Sequence, residues 1–261
     1  MIDNDDIPVG RILSRREVLV LFGATGATAV LSACAPMLPG GATPVATVAA
    51  TEQVVATGAT IDAATIPSCV VRPELTEGPV FVEEDLNRSD IRLDPSNGKV
   101  SEGAQFDLAF RISQIANGAC TSLAGVKVDV WHCDAFGVYS DTDQLGFQTV
   151  GQKFLRGYQI SDENGIVRFT TIYPGWYEGR AVHIHFKMRN DQGYEFTSQL
   201  FFDDALTDEV FKQEPYASRG ERKLRNADDG IYQQSGGQMM LTAEKTATGY
   251  AATFDIGLEM G

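Results

Sequence analysis

Two of the chain's three histidines stand one residue apart, as His183-Ile184-His185, inside a run rich in strand formers. Residues two apart on a strand project to the same face, so both imidazoles would leave one rigid element side by side, at the spacing a metal ion needs. Taken alone, the pair suits a surface or interface as well as a metal site. Tyr139, Tyr177 and Arg180 are the next residues able to do chemistry. Each has an ordinary alternative: a tyrosine at a strand end is commonly a core residue with a wet hydroxyl, and an arginine is commonly a surface ion-pair partner.

The elements that must hold these side chains are β-type. Segments Gln105 to Ile112, Val126 to His132, Gly165 to Thr171, Ala181 to Lys187, Glu195 to Phe202 and Gly249 to Ile256 are separated by Gly, Asn and Asp. The run Val126-Lys127-Val128-Asp129-Val130-Trp131 alternates apolar with polar, as a strand with one wet face should. Asn164-Gly165 and Asp191-Gln192-Gly193 supply turn punctuation. Many short strands with turns roughly every 8 to 12 residues predict an all-β fold, a single β-sandwich domain of mostly antiparallel short strands over 65–261 with little helix. The charged stretch Asp208 to Ser235 reads as a short helix plus loop between late strands.

The chain has 261 residues, 43% of them hydrophobic and 9% aromatic, enough for one large core. A formal charge of −14 disfavours nucleic acid and anionic membrane as partners, since both require clustered Lys and Arg. Residues 1–33 read as an export signal. Arg15-Arg16 precede an apolar stretch from Val18 to Leu31, and Leu31-Ser32-Ala33-Cys34 follows. The paired arginines resemble a twin-arginine signal and the box before Cys34 resembles a bacterial lipobox. Both imply an exported lipoprotein whose membrane contact is a lipid on Cys34, on the outer side of the cytoplasmic membrane or cell envelope. Residues 34–64, mostly Ala, Thr, Gly, Pro and Val, have the composition of a flexible tether. With Cys34 committed to lipid, Cys69, Cys120 and Cys133 remain, and one disulfide plus one free thiol is the simplest outcome, with the pairing left open.

Two longer strings carry a family resemblance. Trp131-His132-Cys133-Asp134-Ala135-Phe136-Gly137-Val138-Tyr139-Ser140 and Thr171-Ile172-Tyr173-Pro174-Gly175-Trp176-Tyr177-Glu178-Gly179-Arg180-Ala181-Val182-His183-Ile184-His185 are similar to the two tyrosine-ligand segments of intradiol ring-cleavage dioxygenases, the catechol and protocatechuate dioxygenase family. Gln199 falls where that family keeps an active-site glutamine, and Thr76-Glu77-Gly78-Pro79 resembles its loop entering the active site. The order Tyr, Tyr, Arg, His, His, Gln is kept, over roughly residues 69–202. Val80 and Phe81 stand where relatives usually carry at least one tyrosine, and the short Tyr177 to Arg180 spacing suggests an open pocket mouth. The helical N-terminal dimerisation region of the catechol enzymes is absent from the sequence.

The resemblance implies a non-haem Fe(III) held by Tyr139, Tyr177, His183 and His185, with Tyr177 as the base that takes a catechol proton. It implies that Arg180 stabilises negative charge on the ring, that Gln199 orients O2, and that Gly78, Pro79 and Val80 contact substrate. The substrate would be a small aromatic diol, opened with O2 to a muconate-type dicarboxylate. The family motif places no ligand at His132, which therefore reads as structural, and Cys133 reads as half of a disulfide or a buried thiol. Two phenolates and two neutral imidazoles form a hard, anionic donor set that favours Fe(III) over Fe(II). A cupin or Fe(II) oxygenase would need a further ligand such as a later histidine, and none follows His185. The alternative from another class is a lipid-anchored β-sandwich that binds a ligand without turnover.

Overall fold

The computed structural model describes residues 70–260. The proposed signal (1–33), tether (34–64), Cys34 and Cys69 lie outside the described residues. Among those described, no helix is long and apolar enough to cross a membrane.

The longest strand, β1 (Gln105–Ala116), buries Phe106, Leu108, Phe110 and Ile112 at every second position, the period of a strand with one face on the core. It runs antiparallel to β2 (Ala119–Ser122) at one end and to β5 (Ile166–Ile172) along the other, and parallel to β10 (Gly249–Glu259) on its far edge, where β9 (Glu244–Lys245) closes the sheet. The second sheet has the order β4 (Arg156–Ile160), β3 (Lys127–Trp131), β6 (His183–Arg189), β7 (Glu195–Phe202) and β8 (Met240–Leu241). Only the β7–β8 pair within it is parallel. The two sheets form the expected all-β sandwich around one apolar cluster.

Phe110 of β1 sits at the centre of that cluster, with ring centroids 5.1 Å from Phe186 of the second sheet, 6.1 Å from Phe254 and 6.4 Å from Phe169. Its side chain is fully buried, so Phe110→Ala removes a ring between the sheets and leaves a cavity; the expected loss is about 3 to 5 kcal/mol, read from urea unfolding.

Four strands escape the sequence pattern: β2, β4, β8 and β9. Three have four residues or fewer, too short for a period to show, and β4 reads Arg-Gly-Tyr-Gln-Ile, with no apolar alternation. The charged late segment contains more than one helix. Helix α1 (Asp204–Val210) starts ahead of the expected boundary, capped by the Asp203 carboxylate on the Leu206 N–H, and α2 (Gly230–Gln234) is capped by Asp229. Between them lie two 3-10 turns, Tyr216–Arg219 and Asn226–Asp228.

Strand β6 positions the chemistry. Ile184, Phe186 and Met188 point into the sandwich, and His183, His185 and Lys187 occupy the opposite face. That outer face is buried too, because loops cover it.

Candidate active site

Register across the second sheet sets a row on the outer face: Arg156 of β4 opposite Trp131 of β3, Trp131 opposite His185 of β6, and His185 opposite Gln199 of β7. Directly paired residues share a face at close range. The Trp131 and His185 rings accordingly stack, with centroids 5.0 Å apart and planes 11° from parallel.

Tyr139 reaches this row from the β3–β4 connection. Asp134 builds the turn before it, its Oδ1 accepting the N–H groups of Phe136 and Val138 at 2.9 Å each. Tyr177 arrives on the β5–β6 connection, and the two tyrosine segments pack backbone on backbone. Gly175 donates its N–H to the Asp134 carbonyl at 3.0 Å, and a Cβ on Gly175 would sit 2.5 Å from the carbonyl oxygens of Asp134 and Ala135. Gly137, at φ +78°, lies just as tightly against the Trp176 carbonyl. The glycines of both motifs are thus what lets the two tyrosines meet, with ring centroids 5.5 Å apart.

The hydroxyl of Tyr139 lies 3.2 Å from His183 Nε2, and His183 Nε2 lies 3.0 Å from His185 Nε2. The His183 Nδ1 is 2.7 Å from the Ala181 carbonyl, which can only accept, so Nδ1 carries the proton and Nε2 presents a lone pair. Burial, reinforced by the Arg180 charge, depresses the His183 pKa to about 3. Burial and the neighbouring His183 push His185 well below the ordinary histidine range. Both imidazoles are neutral at pH 7, the form that binds metal. Burial raises the Tyr139 pKa well above a free phenol's and raises that of Tyr177, against which the Arg180 charge acts.

These groups fit a bound cation better than they fit one another. His185 Nδ1 is buried with no hydrogen-bond partner among the described residues. If its proton is on Nε2, donated to His183, the Nδ1 lone pair is stranded; if on Nδ1, two Nε2 lone pairs face each other at 3.0 Å. A cation at the junction would turn the second arrangement into an attraction, since both Nε2 lone pairs would be directed at it. It would also reverse the penalty on the phenolates. Among the described residues no three His, Cys, Asp or Glu side chains converge, so a metal here requires the tyrosines as donors.

Arg180 lies at the rim. Its Nε donates to Asp229 Oδ2 at 2.9 Å, its Nη2 to Gln199 Oε1 at 2.6 Å, and its Nη1 is 3.5 Å from His183 Nε2. Gln199 in turn donates to the Thr76 carbonyl at 2.8 Å, which brings the Thr76–Pro79 loop over the site. A Cβ on Gly78 would lie 3.3 Å from His185 Cε1, whereas Pro79 is exposed. Val80 is only 1% exposed and packs with Trp131, Cys133 and Tyr139, so it backs the site from beneath, and Phe81, Phe147 and Tyr177 form the partly open edge.

The structure therefore gathers Tyr139, Tyr177, Arg180, His183, His185, Gln199 and Gly78. His132 bonds Cys133 O at 2.8 Å and Thr171 Oγ1 at 2.7 Å, which uses both ring nitrogens. Cys133 is a free, buried thiol, and Cys120 is disulfide-bonded. Two contributors are invisible in the sequence pattern. Arg156, 2% exposed, donates to the Ser140 carbonyl at 2.6 Å and to the Val80 carbonyl at 2.8 Å, tying the tyrosine turn to the covering loop. Asp229, the cap of α2, holds Arg180 from a segment 49 residues away.

Ion pairs pin the covering loop as well: Glu77 to Lys187 at 2.5 Å and Glu83 to Arg189 at 2.6 Å. The hydrogen bond from Arg189 foremost, then Lys127, holds the Glu83 carboxyl down to about 2 from 4.5. A depressed acid stabilises the fold above its unfolded pKa, and that contribution fades as pH falls from about 4.5 through 2. Unfolding free energy measured between these values is expected to fall less steeply in Glu83→Gln than in the unmodified chain.

Residues 76–259 match the family model described as dioxygenase. The catechol 1,2-dioxygenase of Acinetobacter baylyi is 31% identical over 153 residues, 49% of this chain and 45% of that protein. The chlorocatechol 1,2-dioxygenase of Pseudomonas putida is 28% identical over 99 residues, 31% of this chain and 36% of that one. The matches thus span less than half the length of these curated relatives. An intradiol ring-cleavage dioxygenase from Tetranychus urticae superposes with a TM-score of 0.66 at 27% identity, covering 73% of this chain and 95% of that one. With the family model matched along most of the sandwich, the chain belongs to the intradiol ring-cleavage dioxygenases.

Proposed function

We propose that this chain cleaves a catechol-type ring between its two hydroxylated carbons with O2, yielding a muconate-type dicarboxylate. The observation that carries the reading is the convergence of the Tyr139 hydroxyl and the two neutral imidazole nitrogens within 3.0 to 3.2 Å on one sheet face, with Tyr177 alongside. Tyr139, Tyr177, His183 and His185 would hold Fe(III), a Lewis acid that draws electron density from a chelated catecholate and opens a ring carbon to O2.

Within that site the chain's own groups divide the work. Tyr177 is the half-buried donor at the open edge, and its phenolate would take a catechol proton as substrate arrives. Arg180 directs its guanidinium between His183 and Gln199, where it stabilises negative charge on the ring. Gln199, its amide fixed by Arg180 on one side and Thr76 on the other, would orient O2. Gly78 leaves room beside His185, and the Trp131, Val80 and Phe81 wall keeps water away.

Oxygen uptake across a panel of catechol, protocatechuate, hydroxyquinol and alkylated catechols, with product identification, tests the reading. Iron-loaded protein is expected to be burgundy from tyrosinate-to-iron charge transfer and to consume O2 with at least one diol. Colourless iron-replete protein without turnover would defeat it.

The leader motifs support an exported lipoprotein acting on environmental aromatic compounds. Cys34→Ala is expected to move the protein from the membrane fraction to the soluble one, and an unchanged partition would refute lipidation at Cys34.

A further inference from the structure

The charged segment between α1 and α2 supplies one group to the site. Asp229 is 2% exposed, and its two oxygens do different jobs. Oδ1 caps α2, accepting the N–H groups of Ile231 at 2.8 Å and Tyr232 at 3.1 Å. Oδ2 turns the other way and accepts both the Arg180 Nε–H at 2.9 Å and the Ala181 N–H at 2.8 Å. Each of those partners leads to a candidate reacting group. Arg180 continues to Gln199 at 2.6 Å and faces His183, while the Ala181 carbonyl accepts the His183 Nδ1–H at 2.7 Å.

We infer that Asp229 is the positioning residue of this site, locking the Arg180 guanidinium in the plane that serves Gln199 and His183; the inference rests on the ring-cleavage reading for its effect on turnover. A guanidinium held only at Nη2 can pivot about that bond. A second anchor at Nε, charge-assisted and buried, removes the pivot. The anchor sits on the capped end of a helix whose own first turn is held by the other oxygen of the same carboxylate, so the capped helix end braces the arginine.

Asp229→Asn separates the two jobs. Asparagine caps helices about as well as aspartate, but its amide has one acceptor oxygen and cannot serve both the cap and the Arg180–Ala181 pair. Asp229→Ser provides the same separation should the first variant fold poorly, since the hydroxyl caps the helix and is too short to hold Arg180. With iron-loaded full chain, kcat on the best diol is expected to fall roughly 10- to 100-fold, with KM moving less and thermal unfolding close to the unmodified protein. In an Arg180→Gln background, adding Asp229→Asn is expected to cost almost nothing further, because the residue acts through Arg180. Equal losses in both backgrounds, or no loss, would overturn the assignment.

A second readout needs neither iron nor turnover. In metal-free protein the Arg180 Nε–H is expected to give one slowly exchanging proton–nitrogen resonance, assigned by its disappearance in Arg180→Lys and lost in Asp229→Asn. Should the unmodified chain turn over no diol, the ring-cleavage reading would fall, while loss of this resonance would still uphold the positioning and its persistence would overturn it.

Discussion

Tyr177→Phe is expected to slow turnover of the iron-loaded protein by about 100-fold or more and to change its visible absorption band, while the sandwich remains folded. The size follows from what one positioned proton acceptor contributes in general acid–base catalysis, about 10²- to 10⁴-fold. The survival of the fold follows from position: Tyr177 lies at the partly open edge and packs with the small cluster around Trp131 and Tyr139 rather than within the main core. The comparison with Tyr139→Phe is informative. Tyr139 is fully buried and its hydroxyl stands 3.2 Å from His183 Nε2, so its loss is expected to lower iron retention as well as rate. Absorbance spectra, iron content and steady-state kinetics on both variants separate the roles. Unchanged colour and rate in Tyr177→Phe would remove that residue from the donor set.

Gly137→Ala is expected to do comparable harm without touching a donor. At φ +78° a side chain is strained by roughly 1 to 2 kcal/mol, and here the added methyl would also press into the Trp176 carbonyl, one residue from Tyr177. The two tyrosine segments meet through this backbone contact, so one must retreat and the four proposed donors can no longer close on a common point. The expected result is loss of iron binding and of turnover, with thermal unfolding lowered by several degrees. Gly193→Ala is the control. Its φ of +82° imposes similar strain, but nothing lies within 4 Å of the added carbon, so the iron content should be unaffected. Equal iron content in the two variants would show that the contact between the segments is dispensable.

The buried row that begins at Arg156 and the Asp229 brace have no local signature in the chain. Runs of strand formers bounded by Gly, Asn and Asp marked β1 and β6, alternation marked β3, and the two-residue strand period placed His183 and His185 together because that placement needs no other strand. It could not recognise Arg156 as a member of a buried row, since β4 carries no apolar alternation and only the pairing Arg156 with Trp131 puts it there. The antiparallel expectation held within the second sheet except at β8, but β1 and β10 pair in parallel across the length of the domain, a contact with no local signature.

The residue types and the short-range geometry were fixed by the order of amino acids itself: which side chains can donate to a metal, which two histidines share a face, and where glycines permit a tight turn. These depend on bonds and dihedral angles within a few residues. The convergence of Tyr139 with His183, the seating of Gln199 beside Arg180, and the arrival of Asp229 from 49 residues away depend on strand register and loop packing. Those are settled by how the whole chain buries its apolar faces, and only the tertiary structure decided them.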